Sequence, residues 1–106
     1  MQDYFISMYQ ILKAIETSSY SNSFNYDETL NLKKLKLSEE ELMIIIDNII
    51  DDELVKGLII IPGTAGFKAV NPRLTTAGYL YLKNNSEMQR AYKFLKEVKG
   101  WIPGLG

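Results

Sequence analysis

Residues 38–57 read SEEELMIIIDNIIDDELVKG, and their spacing predicts one long, capped helix. Ser38 followed three residues later by Glu41 is the capping-box pattern, in which the serine oxygen accepts from an orphan amide and the carboxylate reaches back to the cap. Glu39, Glu40 and Glu41 fall in the first turn, where the positive end of the helix dipole favours them. Gly57, with Lys56 beside the last carbonyls, is the expected stop. At about 100° per residue, Leu42, Met43, Ile45, Ile46, Ile49, Ile50 and Leu54 share one broad face, which is core. The opposite face presents Glu40, Ile44, Asp47, Asn48 and Asp51. Residues 39–57 hold seven acids and one base, a balance of −6. Affinity for nucleic acid comes largely from neutralising phosphates, so such a face repels a duplex. A solvated helix face with no role in binding is the simpler account of a lone charge run.

The chain has 106 residues, enough for one domain with one core, and residues 1–106 are expected to form it. An apolar fraction of 46% argues for a folded protein, and no uninterrupted apolar stretch suits a transmembrane helix. The opening MQDYFISMY lacks a basic leader followed by an apolar run, so no signal peptide is expected, and a cytoplasmic location is. Cysteine is absent, which removes disulfides, thiolate chemistry and cysteine zinc sites together. Histidine is absent too, so no Ser-His-Asp or Cys-His arrangement can be built. No enzyme activity, cofactor or metal is expected. The net charge of −1 hides an asymmetry: residues 1–57 carry eleven acids and five bases, residues 58–106 two acids and seven bases. A chain polarised this way can present one acidic and one basic surface, as head-to-tail contacts do.

Around the acidic stretch the remaining elements fall into order. From Asp3 to about Thr17, Tyr4, Phe5, Met8, Ile11, Leu12 and Ile15 recur at helical spacing, with Asp3 at the amino end and the run Thr17, Ser18, Ser19 closing the helix. Phe24 and Tyr26 alternate as in a short edge strand, and Asp27 can cap a short helix over residues 28–35. Lys33, Lys34 and Lys36 make the one basic cluster of this half. The short turn at residues 36–38 leads into the acidic helix, a helix-turn-helix pattern. Residues 58–61 and 67–70 are short apolar runs around a Pro/Gly turn and predict a β-hairpin, broken by Asn71, Pro72 and Arg73. Thr75 then caps a helix that contains Gly78, a residue expected where a neighbour comes too close for a Cβ. Ser86 with Gln89 is a second capping-box pattern, opening a basic helix with Met88, Ala91, Tyr92, Leu95, Val98 and Ile102 at helical spacing. That helix is expected to pack on the first one, with a two-fold dimer seam as the alternative.

This order (helix, short strand, helix, turn, helix, hairpin, helix) is that of an α+β, mainly α, winged helix-turn-helix domain, with residues 75–102 as carboxy-terminal helices. The chain resembles the YjcQ-like family of small bacterial and prophage-associated proteins. The resemblance lies in Ile11-Leu12-Lys13-Ala14-Ile15, in Leu74-Thr75-Thr76-Ala77-Gly78 with Tyr81-Leu82-Lys83, and most specifically in residues 91–102, AYKFLKEVKGWI. It implies the winged-helix fold, a bacterial or phage origin and, by analogy with other winged helices, gene regulation; it brings no catalytic or metal residues. Two functions follow. For DNA binding, Lys33, Lys34, Lys36, Lys68 and Arg73 are the phosphate-contact candidates, against an acidic third helix and a hairpin tip without a base. For a protein-interaction or dimerisation module, Ile44 is an apolar anchor rimmed by Glu40, Asp47 and Asp51, aimed at a basic protein partner.

Overall fold

Asp3 Oδ1 accepts from the amides of Phe5 (2.8 Å) and Ile6 (3.2 Å), which satisfies two orphan donors of the first helix, α1 (Tyr4–Ser21). The helix continues through the serines that were expected to end it. The computed structural model describes residues 3–21, 32–64 and 66–97. Within them, α1 is followed by α2 (Leu32–Leu35), α3 (Glu39–Asp51), strands β1 (Val55–Ile60) and β2 (Phe67–Leu74), α4 (Thr76–Asn84) and α5 (Ser86–Glu97). The chain is thus α+β and mainly helical, with one two-stranded antiparallel sheet among the described residues. The edge strand expected at Phe24 and Tyr26, the start of the helix expected over residues 28–35, and the stripe positions Val98 and Ile102 lie outside the described residues.

The core joins every described element. Met8, Ile11, Leu12 and Ile15 of α1 meet Leu35 and Leu37, Leu42, Ile45, Ile46 and Ile49 of α3, the inner side of the hairpin, and Met88, Ala91 and Leu95 of α5. Buried apolar side chains of this size each contribute about 1.5–3 kcal/mol. α5 packs on α1, as its apolar stripe predicts, and Tyr9 meets Tyr92 with ring centroids 6.1 Å apart.

The capping box at the start of α3 is complete: Glu41 N donates to Ser38 Oγ at 3.2 Å, and Ser38 N to Glu41 Oε1 at 2.9 Å. The end differs from expectation. α3 stops at Asp51, six residues before Gly57, because Glu53 takes the left-handed conformation (φ 55°) that glycine usually supplies. Leu54 N then donates to Ile49 O and Glu53 N to Ile50 O, both at 3.0 Å, a Schellman closure whose apolar contact is Ile49 with Leu54. Leu54 is therefore core, but from outside the helix.

Gly57 belongs to β1 instead. Leu58 pairs with Ala69 and Lys56 with Arg73, so Gly57 alone faces three residues, Val70, Asn71 and Pro72. Its φ of +92° and a hypothetical Cβ only 2.4 Å from Val70 O leave room for glycine alone. Asn71 and Pro72 thus bulge the hairpin together with Val70, and Arg73 is paired, so the hairpin is not broken there. Asn71 turns left-handed (φ 47°), the prolinyl ring is buried in the bulge where no ladder amide is needed, and pairing resumes at Arg73.

Thr75 ties hairpin to helix. Its Oγ1 donates to Glu53 O (2.6 Å) and accepts from Gly78 N (3.0 Å), while its own amide donates to Leu54 O (3.0 Å). A Cβ on Gly78 would sit 2.1 Å from that same Leu54 oxygen, so the close approach expected at this glycine is real. The second capping box is not formed. Asn85, not Ser86, caps α5, its Oδ1 accepting from Glu87 N (2.9 Å) and Met88 N (3.2 Å), while Gln89 Nε2 turns away to Lys83 O (3.2 Å).

Candidate interaction surfaces

α3 buries Leu42, Ile45, Ile46 and Ile49, and that choice of face fixes what its other side presents. Glu40, Ile44, Asp47 and Asp51, spaced by four, three and four, form one solvent-facing stripe. Ile44 is 58% exposed at its centre. Asn48 leaves this stripe: it is half-buried and its Nδ2 donates to the Tyr4 hydroxyl at 2.9 Å, tying α3 to the start of α1. Among the described residues the ion pairs are Lys13 with Glu16 and Arg90 with Glu87, so none of the seven carboxylates from Glu39 to Glu53 has a cation within 4.0 Å. Like charges three and four residues apart on a helix each cost about 0.2–0.5 kcal/mol. The sequence keeps this arrangement around an exposed isoleucine.

The phosphate-contact candidates are spread over α2, the turn after it and β2. Lys36 is exposed in the turn between α2 and α3, with φ 56°. The side chains of Lys33 and Lys34 lie outside the described residues. Lys68 is exposed opposite Ile59, and Arg73 opposite Lys56 near the other end of the hairpin, about 10 Å apart at the usual strand rise because the bulge takes up the extra residues of β2. The outer side of the hairpin adds Ile59, Ile61 and Val70, all substantially exposed.

Sequence reasoning missed the pairing of Lys56 with Arg73. Both line an open cleft of about 740 Å3 between the hairpin and the start of α4, with Glu53, Thr75, Thr76 and Tyr79 among its walls. Arg73 Nη1 donates to Asn71 O at 3.3 Å. The signal was present only in the register: once the strand is carried through Pro72, two cations stand directly opposed, a costly arrangement.

α5 carries the opposite charge to α3. Its solvent side holds Arg90, Lys93, Lys96 and Glu97, and Phe94, 51% exposed, has Arg90 and Glu97 as its neighbours one turn away on the helix. Burial acts on two tyrosines: the Tyr9 hydroxyl is pushed up to about 12 chiefly by desolvation, with Tyr92 and Glu16 adding to it, and Tyr81 is raised mainly by burial as well. Among the described residues no group of His, Cys, Asp or Glu is placed to hold a metal ion, and no helix is long and apolar enough to cross a membrane.

These features define a mainly helical α+β protein whose acidic helix α3 exposes an isoleucine among carboxylates. A family model described as YjcQ protein matches residues 9–101, and the chain belongs to that family. It is also 48% identical over 33 residues to the uncharacterized protein YjcQ of Bacillus subtilis (strain 168). That alignment covers 31% of this chain and 35% of the relative, so it spans about a third of the curated protein. No solved structure matches the chain.

Proposed function

We propose that this chain is a non-enzymatic winged-helix module that binds a protein through the outer face of α3. In this reading α2, the turn at Lys36 and α3 form the helix-turn-helix, the β1–β2 hairpin is the wing, and α3 occupies the place of a DNA-recognition helix. The observation that carries it is Ile44, 58% exposed among Glu40, Asp47 and Asp51 with no cation paired to them among the described residues. A phosphate backbone meets repulsion there. A partner helix with an apolar side chain and flanking lysine or arginine meets an anchor and a rim of opposite sign. A second reading, duplex binding through Lys36, Lys68 and Arg73, draws support from the opposed Lys56 and Arg73, whose repulsion a phosphate would relieve.

The test is fluorescence anisotropy with two labelled probes, a cationic amphipathic helical peptide and a short mixed-sequence duplex. The docking reading expects the peptide to bind at low salt and Ile44→Asp to abolish it, with Ile44→Gln as a variant that adds no charge. Duplex binding that weakens steeply with salt and ignores Ile44 would establish the second reading in its place.

A further inference from the structure

We infer that the partner of the α3 face is the outer face of the β1–β2 hairpin of a second copy of this chain. The inference rests on the docking reading of α3 and names its occupant.

The hairpin supplies the opposite charge and an apolar centre. Residues 55–74 carry three bases and no acid, whereas residues 39–53 carry seven acids and no base. Val55, Leu58, Phe67 and Leu74 turn into the core, which leaves Lys56, Ile59, Lys68, Val70 and Arg73 exposed on the other side of the sheet. Ile59 is 46% exposed and stands directly opposite Lys68, and Val70, 51% exposed, is its diagonal neighbour on the same side. None of the three cations is paired. Lys68 has no carboxylate within 4.0 Å, and Glu53, although it lines the same cleft as Lys56 and Arg73, comes that close to neither.

The spacings match as well as the signs. Glu40 and Asp47 are seven residues apart, about 10 Å along one side of α3, with Ile44 between them. Lys68 and Arg73 are about 10 Å apart along the hairpin, with Val70 between them. Laid together, the surfaces set Ile44 against Val70 and Ile59, and two carboxylates against two cations. A carboxylate that reaches Arg73 also relieves the repulsion of the opposed Lys56, which a single chain leaves standing.

The two faces cannot meet within one chain. Ile45, Ile46 and Ile49 of α3 and Val55 and Leu58 of β1 are buried in the same core, so each element turns its outer face away from that core and neither can turn to the other. Three residues join α3 to β1, and the hydrogen bonds of Glu53 and Leu54 to Ile50 and Ile49 take up their slack. Charges that cannot pair in cis are left for a second molecule. The contact joins unlike surfaces, and a 13-residue helix laid on two short strands buries less than a standard interface, so association is weak and depends on concentration. Its electrostatic share makes it sensitive to salt.

Light scattering over a concentration series at low and high salt is the first measurement. The mean mass is expected to rise with concentration at low salt and to return toward that of one chain at high salt. Ile44→Asp and, separately, Val70→Asp should each abolish the rise, and Lys68→Glu with Arg73→Glu should do the same without touching an apolar residue. Circular dichroism checks that each variant is folded. The deciding experiment mixes the Ile44→Asp and Val70→Asp chains, which have the same net charge. One keeps its hairpin face and the other its α3 face, so a 1:1 dimer should form where neither variant associates alone. A wild-type mass independent of concentration, or a mixture that stays monomeric while the wild type associates, overturns the inference. Duplex binding by a monomeric wild type, lost in Lys68→Glu, would overturn it too and give the hairpin to phosphate. If the monomeric wild type still binds the cationic peptide through Ile44, the docking reading stands without self-association; if it does not, both fall.

Discussion

Replacing Gly78 with alanine tests how the hairpin is joined to α4. In an exposed helix this change stabilises by about 1 kcal/mol. Here the new Cβ would lie 2.1 Å from Leu54 O and 3.1 Å from Leu54 C, both backbone atoms that no rotamer change can move. Clearing the carbonyl requires a shift of about 1 Å, judged against ordinary contact distances. That shift pulls on the Thr75 N–Leu54 O bond at 3.0 Å and the Thr75 Oγ1–Glu53 O bond at 2.6 Å, which together close α3 and start α4. Leaving one such group unsatisfied costs about 1–3 kcal/mol. Overpacking adds about 1–3 kcal/mol, so after the propensity gain the net loss is about 1–5 kcal/mol. Chains of this kind are stable by only about 5–15 kcal/mol, so the midpoint of urea unfolding, followed by circular dichroism, should fall markedly. An alanine variant as stable as the wild type would refute the close approach and the joint built on it.

Glu53→Gly removes a left-handed glutamate from the end of α3 and is expected to stabilise by about 0.5–1 kcal/mol in the same assay, the strain relieved exceeding the entropy that glycine adds to the unfolded chain. A loss of stability would mean that the Glu53 side chain contributes more than its backbone costs. Lys56→Gln relieves the cation opposed to Arg73, with an expected gain of about 0.5 kcal/mol at low salt that fades as salt is added; a gain indifferent to salt would contradict a charge origin. Tyr9 stays neutral in the folded chain up to about pH 12, whereas an unfolded tyrosine ionises near 10. Its contribution is therefore complete below about pH 10 and is lost as pH rises from there through about 12, on the order of 2 kcal/mol. Tyr9→Phe should lose less stability than the wild type over that alkaline range, and equal losses would contradict the assignment.

What the sequence disclosed and what it concealed divide along physical lines. The amino-terminal caps at Asp3, Ser38 and Thr75 were legible because a short polar side chain meeting amides two or three residues on is a purely local arrangement. Gly78 was legible for a related reason: a glycine inside a helix pattern weakens it, so it points to a neighbour that needs the space. The end of α3 was not, since Gly57 is the obvious stop and Glu53 takes left-handed φ only because Ile49 and Leu54 pack once the chain reverses. The continuation of β2 through Pro72 was hidden likewise, because a three-residue bulge opposite one glycine is a property of two strands together. At α5, Asn85 and Ser86 are both good caps, and local pattern cannot rank them. The exposed stripe of α3 was legible at Glu40, Ile44, Asp47 and Asp51, but Asn48 turned inward to Tyr4, a contact 44 positions away in sequence. The opposed Lys56 and Arg73 depend on the same hidden register.

The account turns on which kind of molecule meets the outer face of α3. Backbone amide shifts of the isotope-labelled chain, recorded during titration with the cationic amphipathic peptide and then with the mixed-sequence duplex, answer it directly. The account predicts that the peptide moves the amides of Glu40, Ile44, Asp47 and Asp51 and that the duplex leaves them in place. Duplex-induced shifts along α3, with the peptide perturbing other residues or none, would contradict it.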